Sequence, residues 1–98
     1  MTDKKITVLA VLRARADRIE QVKKVLESLI GPTRQEAGCI SYDLHQGYED
    51  KEHFMFYENW SSHDAWDKHM ETDHLKNFHT QAPELLAEAP VVTVWEMV

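Results

Sequence analysis

Cysteine occurs once among these 98 residues, at Cys39, so no disulfide can close within the chain and a reducing compartment is the expected setting. A lone thiol of this kind reads first as a small buried apolar side chain. Glycine is nearly as scarce. Gly31, Gly38 and Gly47 stand far apart, which leaves no Gly-rich phosphate loop and no dinucleotide fingerprint. A serine nucleophile elbow is missing as well. No apolar run is long enough to span a bilayer, since the first one, Ile6 to Leu12, ends at Arg13. The N-terminus shows no small-residue cleavage signature, and the protein is expected in the cytoplasm. Basic stripes are absent too: Lys4-Lys5 and Lys23-Lys24 are isolated pairs, and 11 bases against 17 acids leave a net charge of −6. That balance argues against a nucleic-acid footprint and against an anionic membrane surface.

What is present is a dense apolar pattern in a chain of one-domain length, 43% apolar by residue. A domain this small buries only roughly 60–65% of its unfolded surface, so further burial by self-association is expected. Ile6 to Leu12 is apolar on both alternating faces, the mark of a strand covered on both sides. Asp17 stands where an N-cap would, with Glu20 three residues on. Ile19, Val22, Val25, Leu26 and Leu29 then form one helical stripe, stopped at Gly31-Pro32, with room for a further turn through Gln35. Cys39 to Gln46 and His53 to Trp60, joined by the polar segment Gly47 to Glu52, predict an antiparallel hairpin. In the first of these strands Tyr42 alternates with Ile40 and Leu44. Ser61 to Asp64 and Thr72-Asp73 offer caps for a broken helical region carrying Ala65, Trp66, Met70, Leu75, Phe78 and Leu85. Pro83 predicts an interruption unless it opens a new helix. Val91 to Val98 predicts a last strand.

The order β-α-β-β-α-β predicts one α+β domain of the split βαβ, ferredoxin-like class: four antiparallel strands with the helices on one face. Helices on one face leave the other face of a two-sided first strand bare. A second sheet from an identical chain is the expected cover, giving a homodimeric barrel-like core.

Six histidines are the other signal: His45, His53, His63, His69, His74 and His79. A spacing of five turns His69, His74 and His79 roughly 140° from one another on an ideal helix, a poor metal triad. His69 and His74 flank the break at Glu71 to Asp73, so each can point into the space between helices and sheet, with a ring suited to taking a proton near neutrality. Glu58 and Trp60 share a strand face with Phe54 and Phe56, which puts a carboxylate among aromatics and gives it reason for a raised pKa. Asn59 projects to the opposite face. The aromatics, methionines, histidines and Glu58 together suit a flat, apolar, ionisable ligand.

Three pieces then combine. Glu36-Ala37-Gly38-Cys39-Ile40-Ser41-Tyr42, Tyr57-Glu58-Asn59-Trp60 and His69-Met70-Glu71-Thr72-Asp73-His74-Leu75 resemble, in order and spacing, the antibiotic biosynthesis monooxygenase family. The resemblance covers nearly the whole chain. It implies a dimeric ferredoxin-like barrel with a pocket between sheet and helices, and oxygenation without metal, flavin or haem. It implies site roles for Tyr42, Glu58, Trp60, His69, His74 and Phe78. No asparagine stands on the first strand, as the haem-degrading members would require. The expected activity is oxidation of a quinol or polycyclic phenol by molecular oxygen, with His69 or His74 as base and Glu58 orienting a histidine or holding a hydroxyl. Trp60, Tyr42, Phe56, Phe78 and Trp66 would bind the ring. Two rivals stand beside it. One is an isomerase or degrading enzyme for a phosphorylated signal of the autoinducer-2 type, with Arg13, Arg15 and Arg34 as phosphate candidates. The other is a non-catalytic dimeric binding module.

Overall fold

A computed structural model describes residues 4–98. Strand β1 (Ile6–Arg13) is followed by α1 (Ile19–Ser28), a short α2 (Ile30–Arg34), strands β2 (Cys39–Gln46) and β3 (His53–Trp60), helices α3 (His63–Met70) and α4 (Asp73–Leu85), and β4 (Val91–Trp95). The four strands form one antiparallel sheet in the order β2-β3-β1-β4. This is the ferredoxin-like α+β fold, with the helices layered on one face. Val8, Leu12, Phe54, Phe56 and Trp60 meet Val22, Leu26, Phe78, Ala82 and Leu85 there in a single core.

The β1–β3 register pairs Val8 with Glu58 and Ala10 with Phe56, so Glu58 enters the helix-side layer from a central strand. The opposite face carries Thr7, Asn59 and Ser41. There the Thr7 hydroxyl donates to Asn59 Oδ1 at 2.7 Å and Asn59 Nδ2 donates to Ser41 Oγ at 3.0 Å. The same face carries Leu9, Val11, Met55, Tyr57, Val91 and Trp95, with Asp43 and His45 toward the β2 edge. Tyr57 is 41% exposed and Trp95 54%, because no helix of this chain covers them.

Several local expectations need correcting. Asp17 does not cap α1. A turn in which Arg18 N–H donates to the Arg15 carbonyl places Asp17 before the helix, and Arg18 occupies the cap position without a side-chain hydrogen bond. The first helix ends at Ser28, ahead of Gly31-Pro32, which lie inside α2. Pro32 is tolerated in the first turn of α2, where its missing N–H has no helical partner to lose. Pro83 does not interrupt α4. It falls in the last turn, two residues before the helix ends, and forfeits one bond at most. The last strand closes at Trp95. Ile40 does not share a face with Tyr42. Cys39 pairs with Trp60 and Ser41 with Asn59, so Ile40 is the extra residue of a β-bulge and is 56% exposed. Ser62 and Thr72 do cap α3 and α4, accepting from the Ala65 and Leu75 amides.

Candidate active site

The space between sheet and helices holds a cavity of about 40 Å³, room for a few waters as it stands. Tyr42, Phe56, Glu58, Trp66, His69 and Phe78 line it, and its partly exposed rim is formed by Trp66, Met70, His79, Pro90 and Val92. Six of the eight residues singled out from sequence therefore reach the cavity. Trp60 and His74 do not.

Trp60 is wholly buried behind it. Its indole N–H donates to Glu58 Oε1 at 2.9 Å, and its ring lies 4.7 Å from the His69 ring, centre to centre. Trp60 thus braces the two ionisable groups. Tyr42 stacks on Phe56 at 4.4 Å and meets His69 edge-on at 5.5 Å. Glu58 does not orient a histidine. That task falls to Glu36, in the turn between α2 and β2, a residue the sequence reading named in the family motif without giving it a role. Glu36 Oε2 lies 2.9 Å from His69 Nδ1 and 2.7 Å from His74 Nε2. His74, with its side chain 24% exposed, faces a separate groove between α1 and α4.

The local chain explains these placements. Gly38 has φ +87°, and a Cβ there would stand 2.5 Å from Ala65 Cβ and 2.7 Å from Ser61 Oγ. Only glycine lets β2 start this close to α3. The Glu36 backbone is tied on both sides, its N–H donating to the Thr33 carbonyl and its carbonyl accepting from Cys39 N–H. Thr72 joins the end of α3 to the start of α4: its hydroxyl donates to the His69 carbonyl at 2.7 Å and accepts from Leu75 N–H.

Burial dominates the electrostatics. It raises the Glu58 carboxyl to about 7, against the opposing pull of the Trp60 hydrogen bond and with the charge of Glu36 adding to the rise. It lowers the His69 imidazole despite the Glu36 carboxylate, which pulls the other way. Burial, with the charge of Glu58 adding, drives the Tyr42 phenol far above its usual range, so Tyr42 is no base. The Cys39 thiol is also pushed up, by burial first and then by Glu36 and Glu58, which disfavours a thiolate nucleophile. His79 is exposed and stands on the rim.

Glu36, His69 and His74 offer ligating atoms within 4.8 Å of one another, a set chemically able to hold a divalent ion. The separations of 2.7 and 2.9 Å match direct hydrogen bonds. Donors around a zinc ion with bonds of about 2.0–2.1 Å stand roughly 3.4 Å apart. The set is therefore arranged as a hydrogen-bonded network.

Residues 5–81 match the family model described as Antibiotic biosynthesis monooxygenase. The chain belongs to that family. Rv0793 of Mycobacterium tuberculosis is 36% identical over 89 residues, which cover 91% of this chain and 87% of that protein. The Rv0793 structure superposes with a TM-score of 0.91, covering 97% and 96% of the two chains at 33% identity. PA3566 from Pseudomonas aeruginosa superposes with a TM-score of 0.93 over 100% and 98%, at 28% identity. Against sll1783 of Synechocystis sp. the chain is 28% identical over 95 residues; that match takes in 97% of this chain and 65% of the cyanobacterial protein. Membership of the family supports a monooxygenase role in general terms.

Proposed function

We propose that this chain is a cofactor-independent monooxygenase that oxidises a quinol or polycyclic phenol with molecular oxygen. The observation that carries the proposal is the inverted pair in one cavity: a histidine biased toward its neutral form and a carboxyl biased toward its protonated form. Groups pushed apart in this way supply a base and an acid at one pH. His69 Nε2 takes the phenolic proton. The phenolate gives an electron to oxygen, and the radical pair recombines at a ring carbon bearing hydrogen, forming the C–O bond of a peroxide. Glu58 protonates that peroxide and, as carboxylate, takes the C–H proton while the O–O bond breaks. The departing hydroxide collects the proton held on His69. One oxygen atom ends in the quinone and the other in water, with the substrate supplying all four electrons. The protein contributes proton transfer, orientation and exclusion of water.

A polycyclic ring needs far more room than about 40 Å³. Entry therefore requires the rim side chains Trp66 and Met70 to turn outward, with Tyr42, Phe56 and Phe78 as the stacking surface. The phosphorylated-signal rival finds little support. No lysine or arginine lines the cavity; Arg13 pairs with Asp50 and Glu52, Arg34 with Asp43, and Arg15 donates to the Pro83 carbonyl. Among the described residues no helix is long and apolar enough to cross a membrane. We assign the open sheet face, with Tyr57, Val91 and Trp95 exposed on it, to a second copy of the chain, and place the protein in the cytoplasm.

The test is oxygen uptake with a panel of quinols and anthrone-like phenols, using chelator-treated protein and no added cofactor. Uptake above the uncatalysed rate is expected to fall about 10²-fold in His69→Ala. Undiminished uptake in that variant removes His69 as base, and no uptake with any member of the panel overturns the oxygenase reading.

A further inference from the structure

We propose that Glu36 is the positioning residue of this site: its Oε2 accepts from His69 Nδ1–H, fixing the tautomer that turns a bare Nε2 to the cavity, while His74 shares the same oxygen from outside. The inference rests on the assignment of His69 as base, but it makes a structural claim that can be read without turnover.

The geometry carries it. A neutral imidazole has one N–H and one lone pair, and the partner of the first decides where the second points. His69 is 1% exposed, its Nδ1 is held at 2.9 Å by Glu36, and among the described residues its Nε2 has no partner. A carboxylate oxygen can only accept from a ring nitrogen, so both rings direct an N–H at Oε2. The two histidines compete for one charge. A positive His74 draws the Glu36 charge to itself and weakens what remains for the imidazolium that forms on His69. The same neighbours act in these directions on His69: Glu36 favours its charged form, and His74 and His79 oppose it. Tyr42 and Glu58 also face it, from β2 and β3. Rigidity at both ends makes the arrangement a fixed one. Glu36 is pinned by its backbone bonds to Thr33 and Cys39, and Thr72 ties the end of α3 that carries His69 to the start of α4 that carries His74.

Imidazole nitrogen NMR on the intact protein reads the tautomer and the titration of His69 directly. Wild type is expected to carry the proton on Nδ1. Glu36→Gln keeps an accepting oxygen without the charge, so the tautomer should persist while the His69 pKa moves down. Glu36→Ala should release the ring to a mixture of tautomers. His74→Gln removes the competitor, and the His69 pKa should move up. Opposite movement in Glu36→Gln and His74→Gln is the signature that a merely structural role does not produce. With an active substrate in hand, Glu36→Gln should lower kcat roughly 10-fold or more with little change in KM. If Glu36→Gln fails to fold, His74→Gln, on a partly exposed side chain, still gives the sign. A proton on Nε2 in wild type overturns the proposal, as does a shift of the same sign in both variants. Stoichiometric Zn²⁺ binding that Glu36→Gln abolishes also overturns it, since the cluster would then be a metal site.

Discussion

Replacing Glu58 with Gln removes one titration and changes little else. The amide is the same shape, and its oxygen can still accept from the Trp60 indole. Wild-type Glu58 is 3% exposed and its carboxyl rises from an ordinary 4.5 to about 7. A carboxyl raised in the folded state favours folding only while it is protonated. Its cost is absent well below 4.5, grows as the unfolded chain ionises, and is complete above about 7, where the folded group ionises too. At about 1.4 kcal/mol per pH unit, a rise of roughly 2.5 units costs about 3 kcal/mol at pH 8. Urea unfolding followed by tryptophan fluorescence, from pH 4 to pH 8 at one protein concentration, measures it. The stability of Glu58→Gln relative to wild type should climb between pH 4.5 and 7 and level off about 3 kcal/mol higher than at pH 4. Taking the difference between the two proteins cancels the opposite trend from His69, whose lowered pKa makes burial costly at acid pH. A relative stability that stays flat across this range refutes the claim that Glu58 sits protonated in a dry cavity, and with it the acid half of the mechanism.

Two further outcomes test the frame around the site. Gly38→Ala meets both a positive φ and the Ala65 Cβ at 2.5 Å, so thermal unfolding should show a loss of about 2–4 kcal/mol and oxygen uptake should drop as Glu36 is displaced. Trp95→Asp puts a charge on the open sheet face, and light scattering should report a dimer mass for wild type and a monomer mass for the variant; a monomeric wild type or an unchanged mass would remove that face as the contact.

The fold was legible because each period kept to its element. The alternation Phe54, Phe56, Glu58, Trp60 put four side chains on one face, and the structure keeps them there. The caps at Ser62 and Thr72 could be read for the same reason: a hydroxyl ahead of an apolar stripe acts locally. Glu36 could not be read this way. Its partners lie 33 and 38 residues later, and only the packing of the α2–β2 turn on α3 and α4 brings them together. The available signals were its place at the head of the family motif and Gly38 close behind it, since a glycine just past a helix end marks a forced turn whose side chains have fixed directions. Trp60 was expected against substrate because aromatic character shows in sequence whereas depth does not. Ile40 failed for a different reason: a bulge leaves the apolar pattern intact and changes only the parity of the face.

That bulge lets β2 carry one residue more than its partner strand without moving either neighbour out of register. On one side of Ile40 the chain is indexed to β3, which fixes Tyr42 opposite Glu58. On the other side it is still indexed to β3, with Cys39 opposite Trp60 and the Gly38 carbonyl accepting from Ser61 N–H just beyond the strand. Because Cys39 and Ser41 face consecutive residues of β3, deleting Ile40 would leave both pairings, and the Glu36 turn behind Cys39, in place. The aromatic wall of the cavity and the carboxylate on its histidines would both survive the loss. Ile40 is thus a spare residue of β2, and with its side chain 56% exposed this point of the strand is free to change in length without cost to wall or charge.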